Sequence, residues 1–164
     1  MRKLIFTLAA LGGLALAGGV QAQGIVKHKG APGSPILTGV TVPADSNLLI
    51  LSGQVPSADP AKPAGSPDAY GDTRAQSISV FGKIETLLKA QGYALGDVVK
   101  LTVFLVGDPK LGGKLDFKGF GEAYGQFFGT ATQPQLSARS VVQVVALANP
   151  AFLVEIEATA AKTR

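Results

Sequence analysis

Hydrophobic positions recur along this chain with the period of a helix in two places. From Ala75 to Leu88 apolar residues are spaced three and four apart, which predicts a helix that turns one face inward. Thr73 and Gln76 have the spacing of a capping box, so we expect Thr73 to be the N-cap residue of this helix. Aromatic residues with the same spacing predict a second helix over 117–128, although each glycine within it weakens the helix by about 1 kcal/mol relative to alanine.

Shorter apolar segments predict the strands. The segment 98–106 is β-branched and almost continuously apolar, which is typical of a strand covered on both faces or on one face and by a partner subunit. In the last predicted strand Val154 and Ile156 alternate with Glu155 and Glu157, so apolar and acidic side chains fall on opposite faces. This last strand is predicted at 152–160, and the other strands are predicted at 25–28, 47–53 and 140–148.

The order of these elements is strand, strand, helix, strand, helix, strand, strand. Such an order predicts an α+β fold in which the two helices pack on one face of a mixed sheet. The proline-rich segment 54–70 separates the second strand from the first helix and is predicted to be a surface loop. With 164 residues, of which 46% are hydrophobic, the chain fits a single domain.

The N-terminus has the pattern of a signal peptide. A basic start is followed by the apolar run 4–19 and by a small-x-small cleavage site at 20–22. A retained membrane anchor is the alternative, but four glycines interrupt the run and no charged stop follows it. We therefore predict that 1–22 is a cleaved leader, that 23–164 is the mature domain, and that the protein is periplasmic or secreted without stable membrane insertion.

Composition excludes several classes of function. The chain has no cysteine, so disulfides and thiol chemistry are absent. Without the leader, 13 basic and 11 acidic residues remain, and a formal charge of +2 is too weak to indicate nucleic-acid binding. The single histidine, His28, lies between two lysines and is predicted to be solvated rather than catalytic. Neither the carboxylates nor the glycines have the spacing of a metal site or a phosphate loop, so we predict no metal and no cofactor.

Two charged residues remain to be explained. Arg139 precedes an apolar strand and Glu155 lies within one, and a charge in such a place requires a partner or a ligand. An arginine presents a planar fork that fits a carboxylate through two parallel hydrogen bonds. Arg139 would therefore pair with Glu155 or an aspartate, which is the commoner role for such a residue, or it would bind a small carboxylate substrate.

An ordered set of short motifs resembles a known family. The motifs are SGQVP at 52–56, GYALGDVVKLTVFL at 92–105, YGQFF at 124–128, ARS at 138–140 and VEIEA at 154–158. They are similar, in order and spacing, to those of the RidA/YjgF family of reactive-intermediate deaminases. The resemblance implies a chorismate-mutase-like α+β fold and a homotrimer with one site in each cleft between neighbouring subunits.

The resemblance also implies a reaction and the residues that carry it. Active members hydrolyse enamine and imine acids to 2-keto acids and ammonia without a cofactor. By this resemblance Arg139 holds the substrate carboxylate, Glu155 orients or deprotonates the attacking water, and Ser52 and Gly53 shape the cleft.

The chain departs from the family at three positions that the resemblance places beside the substrate. Ile36, Gly121 and Val141 stand where many members have tyrosine, asparagine and cysteine. A noncatalytic protein that binds a small carboxylate in the same cleft, or that acts protectively like a chaperone, is therefore the alternative function. Nuclease activity is disfavoured, because the chain lacks both a strong positive charge and an aromatic-basic strip.

Overall fold

The structure is a computed structural model that describes residues 24–63 and 66–164. The leader predicted at 1–22 lies outside these residues. None of the helices in the described ranges has the length and apolar character that crossing a membrane requires. The elements are β1 (Val26–Lys29), β2 (Leu37–Thr41), β3 (Asn47–Gln54), α1 (Thr73–Ala90), β4 (Val98–Val106), α2 (Phe117–Phe127), β5 (Ala138–Val144) and β6 (Val154–Lys162).

Four strands form the main sheet, in the order β3-β6-β4-β5. The pairs β3–β6 and β4–β6 are antiparallel, whereas β4 and β5 are parallel. Strands β1 and β2 form a separate antiparallel ribbon. The predicted mixed sheet with two helices on one face is thus confirmed, with one strand, β2, that the sequence analysis missed.

Both helices cover the same face of the sheet and form the core with it. Their buried side chains meet every second residue of the two central strands, as the alternation of a strand requires. Burying a large aliphatic or aromatic side chain contributes about 1.5–3 kcal/mol. The fully buried members include Phe81, Ile84 and Leu88 of α1, Phe120 of α2, Leu101, Val103 and Leu105 of β4, and Ile156 of β6.

The opposite face of the sheet, which we call the outer face, is not covered by the residues that the structure describes. Lys100 is exposed there, and Thr102 and Phe104 are only partly buried, so β4 is fully covered on its helix side alone. Ile50 of β3 exposes 74% of its surface on this sheet, and Leu48 is also exposed. Of the two alternatives predicted for β4, coverage of both faces is not met within the described chain, and coverage of one face with a partner subunit on the other stays a prediction.

The start of α1 differs from the predicted capping box. Asp72, not Thr73, is the N-cap residue, and its carboxylate accepts a hydrogen bond from the Ala75 N–H at 2.8 Å. The buried amide of Gln76 instead joins α1 to the loop before β6. It donates to the Ala151 oxygen at 2.9 Å and accepts from the Leu153 N–H at 2.7 Å.

The last two strands are displaced from their predicted limits. Strand β5 begins at Ala138 rather than at 140, because its parallel register with β4 starts where Ala138 lies opposite Lys100. It ends at Val144, and Val145 is 99% exposed beyond the sheet. Strand β6 begins at Val154, not 152, and extends to Lys162, which pairs with the first residue of β3.

Candidate functional site

Arg139 lies inside the edge strand β5 and points toward the helices. It is in register with Leu101 of β4, whose side chain is fully buried in the core. The guanidinium carbon lies 4.1 Å from the ring centroid of Tyr124 and 5.1 Å from that of Phe120. Stacking a guanidinium on aromatic faces is favourable and holds the planar fork in a fixed orientation.

The charge of Arg139 has no counter-charge in the described parts of the chain. Their ion pairs, four in number, involve other residues, so the structural ion pair of Arg139 with Glu155 or an aspartate is not formed. Its Nη1 atom is buried and has no hydrogen-bond partner among the described residues. Burial lowers the pKa of Arg139 from its ordinary value and the neighbouring Tyr124 opposes this shift, but a guanidinium remains protonated at any physiological pH.

The guanidinium lies at the wall of a groove of about 520 Å³ between α2, the turn before β2 and the segment before β5. Within the described parts of the chain, Arg139 is the single charged residue of the lining. A buried, unpaired donor beside apolar walls fits an anionic group attached to an apolar body. The other lining residues are Gly33, Ser34, Pro35, Phe117, Gly121, Tyr124, Gly125, Phe128, Gly129, Pro134 and Leu136.

Glu155 lies on the other face of the sheet. It is opposite Phe104 of β4, on the outer face, whereas Arg139 is opposite Leu101 on the helix side. Positions three residues apart on one strand point to opposite faces. One chain therefore does not bring Arg139 and Glu155 together at a single ligand.

A bulge in β3 makes room for the Glu155 carboxylate. Leu51 pairs with Ala158 and Gln54 with Ile156, so β3 contains one residue more than β6 across this stretch. Gly53 lies in the bulge, and a Cβ atom at this position would overlap Oε1 of Glu155 and come within 2.8 Å of its Cδ. A residue larger than glycine at this position would therefore require the Glu155 carboxylate to move.

The other predicted site residues fall in different places. Gly121 lines the groove of Arg139. Ile36, although next to the lining turn, is not part of the lining, and Val141 packs against the core beside β4. Ser52 lines a separate hollow of about 320 Å³ on the outer face, together with Glu157.

Several lining residues were missed by the sequence analysis. Gly125 follows Gly121 by four residues and Phe117 precedes it by four, so the three share one side of α2. This spacing is visible in the sequence, but Gly121 was identified only through the family resemblance, and Gly125 was not identified. The turn 33–35 gave no signal, because its place beside α2 depends on the pairing of β1 with β2.

The described residues contain no group of histidine and carboxylate side chains placed to hold a metal ion. Lys27, the second buried cation, is not comparable to Arg139. Its ammonium donates to the Gly96 oxygen at 2.6 Å, so it is satisfied by the backbone. Burial lowers the pKa of Lys27 from its ordinary value, and the nearby Asp97 opposes this shift only in part. Both the hydrogen bond and the neighbouring carboxylate are consistent with a structural role.

Comparison with known proteins gives concordant matches. The model of the family described as Endoribonuclease L-PSP matches residues 39–162. A RutC family protein, PH0854 of Pyrococcus horikoshii, is 34% identical over 116 residues, which cover 71% of this chain and 80% of the relative. A protein of Escherichia coli K12 named "Putative reactive intermediate deaminase TdcF" is 30% identical over 143 residues, which cover 85% of this chain and 97% of the relative.

Solved structures have the same fold. The Rid family protein YyfB of Yersinia pestis superposes with a TM-score of 0.59 at 25% identity, over 78% of this chain and 87% of that one. The Escherichia coli TdcF structure with bound serine has a TM-score of 0.55 at 28% identity, over 76% of this chain and 92% of its own.

Proposed function

We propose that this chain, which belongs to the RidA/YjgF family, hydrolyses reactive imine or enamine acids. Its similarity to the protein named "Putative reactive intermediate deaminase TdcF" supports this proposal. The products are a 2-keto acid and ammonia. No cofactor takes part in the proposed reaction, since water is the nucleophile and the leaving nitrogen needs only protons.

The observation that carries this proposal is the unpaired guanidinium of Arg139 at the wall of a groove. Its Nη1 atom is buried without a partner, and its plane is fixed against Tyr124. A substrate carboxylate would supply the missing acceptor through charge-assisted hydrogen bonds. Held in this way, the C2 atom of the acid is presented in one orientation, which replaces random encounters with water by a fixed geometry.

The proposed chemistry needs one proton acceptor in addition to Arg139. An enamine first takes a proton at C3 and becomes the imine; water then adds to C2 while Glu155 takes a proton from it. Proton transfer to the nitrogen of the resulting carbinolamine lets ammonia leave and the C2 carbonyl form. Glu155 is suited to this role because it is a partly exposed carboxylate for which the bulge at Gly53 leaves room.

A homotrimer, the assembly typical of the family, is part of the proposal. Arg139 and Glu155 point to opposite faces of one sheet, so a site that contains both needs a neighbouring chain. The exposed apolar side chains of Leu48, Ile50 and Val142 support such an assembly, since burying them against a second copy is favourable. In this arrangement Arg139 of one chain and Glu155 of another act on the same substrate.

A second candidate function is the binding of a small carboxylate without turnover. The observation that favours it is the groove itself, whose lining in the described chain offers an anchor, Arg139, and no titratable acid or base apart from the buried Tyr124 hydroxyl. That hydroxyl is hydrogen-bonded to Ser137 at 3.3 Å.

For either function, we propose that residues 1–22 direct export of the protein. N-terminal sequencing of the protein from separate cell fractions tests this proposal.

The test of the proposed function is ammonia release from imine acids generated in the assay by an amino-acid oxidase. We expect acceleration by the purified protein and a loss of at least about 100-fold in Arg139→Ala, the equivalent of about 3 kcal/mol for two hydrogen bonds to a charged group. Arg74→Ala is the matched control, because Arg74 is an exposed surface residue. Equal rates for Arg139→Ala and the wild type would refute the proposal, and calorimetric binding of keto acids without turnover would favour the second function.

A further inference from the structure

Two glycines of α2 face the groove beside Arg139. Gly121 and Gly125 are one helical turn apart and both line it. A Cβ atom at either position would meet nothing within 4 Å, and neither glycine has a positive φ. Neither the backbone conformation nor local crowding therefore requires glycine, although glycine weakens a helix relative to alanine. Their effect on the molecule is to leave the groove wide along α2.

Aromatic side chains stand at both ends of this widened part. Phe117 lies one turn before Gly121 and keeps 53% of its surface exposed, and Phe128 follows Gly125. Leu136 lies on the opposite side of the groove. An exposed phenylalanine beside an open apolar channel gains by contact with an apolar group of a ligand.

Apart from Arg139, the polar side chains of the lining already have hydrogen-bond partners. The Ser34 hydroxyl donates to the Ile36 oxygen at 2.9 Å and accepts from the Ile36 N–H. The Tyr124 hydroxyl is hydrogen-bonded to Ser137. A hydroxyl or charged group on a substrate side chain would therefore lose its water without gaining a partner, which disfavours polar acids.

We propose that this groove selects imine acids with bulky apolar side chains, aromatic or branched aliphatic. The carboxylate binds Arg139 and the side chain lies along Gly121 and Gly125 toward Phe117. A groove of about 520 Å³ has room for such a group, whereas a three-carbon acid leaves most of it to water. This inference rests on the proposed function in taking Arg139 as the carboxylate anchor, but it concerns the side chain of the acid.

The test measures binding of stable 2-keto acids to the purified full protein by calorimetry. The probes are pyruvate, 4-methyl-2-oxopentanoate and phenylpyruvate, and turnover of the corresponding imines is measured in parallel. We expect the affinity to rise by at least about 10-fold from the methyl to the phenyl side chain, since even one methylene in an apolar pocket changes selection by about that factor. Pyruvate is expected to bind weakest.

Substitutions of Gly121 and Gly125 test where the side chain of the bound acid lies. Gly121→Leu fills the channel, so we expect it to lower the affinity for phenylpyruvate by at least about 10-fold more than the affinity for pyruvate. Gly82→Leu is the matched control, because Gly82 is an open helix position on α1 that does not line the groove. If Gly121→Leu does not fold, Gly121→Ala and Gly125→Leu narrow the same channel.

The outcomes separate this inference from the proposed function. Equal affinities for the three acids, or an unchanged preference in the glycine variants, would overturn the inference even if imines are turned over. Preference for the phenyl acid without ammonia release, measured on the assembled oligomer, would support the inference and refute the deaminase activity. Absence of binding by all three acids would refute both, because Arg139 would then not be a carboxylate anchor.

Discussion

The substitution Gly53→Ala should separate the position of the Glu155 carboxylate from the stability of the fold. A methyl group at Gly53 would overlap Oε1 of Glu155 and lie 2.8 Å from its Cδ. An ordinary carbon–oxygen contact is about 3.3 Å or longer, so the overlapping Oε1 atom must move by more than about 1 Å. Misplacement of a catalytic group by that distance costs on the order of 100-fold in rate. We therefore expect turnover of imine acids to fall by about that factor.

The same substitution should change the free energy of unfolding only slightly. The overlapping atom is the end of a flexible side chain on the open outer face, and an off-rotamer Glu155 costs about 1 kcal/mol. Replacing glycine by alanine also stabilises by about 0.4–1 kcal/mol through the unfolded chain. The two effects nearly cancel, so urea denaturation should give a midpoint close to that of the wild type. Gly39→Ala in β2, where an added Cβ meets no atom within 4 Å, is the matched control.

A double-mutant cycle decides whether Gly53 acts through Glu155. Gly53→Ala should lower ammonia release in the wild-type background and have no further effect in the Glu155→Ala background, because the displaced group is then absent. Additive losses in the double variant would show that Gly53→Ala acts by another route. Full activity of Gly53→Ala alone would refute the reasoning that the bulge serves to place this carboxylate.

Two further substitutions test buried hydrogen bonds by urea denaturation. Gln76→Met removes the hydrogen bonds with the Ala151 oxygen and the Leu153 N–H, so the free energy of unfolding should fall by about 3 kcal/mol; an unchanged value would mean that water replaces the amide. Tyr124→Phe keeps the ring under the guanidinium but leaves the buried Ser137 without its hydroxyl partner. It should cost about 1–2 kcal/mol and leave keto-acid affinity within about twofold, whereas a large loss of affinity would assign the hydroxyl a role in binding.

The parts of the fold that were predictable are those in which local pattern and tertiary burial agree. The apolar spacing of α1 corresponds to a buried surface at Phe81, Ile84 and Leu88, although Ala75 at the start of the predicted face is exposed. The apolar run of β4 is buried on its helix side, and both elements lie where they were predicted. Strand β2 was missed, because its five residues alternate only weakly and include Gly39. Its partner is β1 rather than the main sheet, so no long apolar run was required.

The sequence predicted what kind of partner Arg139 and Glu155 require, but not on which face of the sheet each of them lies. An arginine beside an apolar strand indicated a ligand or an ion pair, and the structure shows no ion pair for Arg139 in the described chain. Whether Arg139 and Glu155 lie on the same face of the sheet depends on the register of β4 with β5 and with β6. That register is decided by contacts between distant segments and leaves no mark on the period of either strand.

The opposite orientations of Arg139 and Glu155 give the two candidate functions a common basis. Binding of an acid needs only the groove of one chain, in which the guanidinium and the glycine channel lie side by side. Hydrolysis in the proposed mechanism needs Glu155 as well, and one chain holds that carboxylate on the far side of its sheet. Binding by Arg139 and proton transfer by Glu155 thus depend differently on assembly. A dissociated chain would keep the affinity for the acid and lose the reaction. Binding without turnover and deamination are therefore two states expected of one molecule, distinguished by whether its outer face is covered by a neighbour.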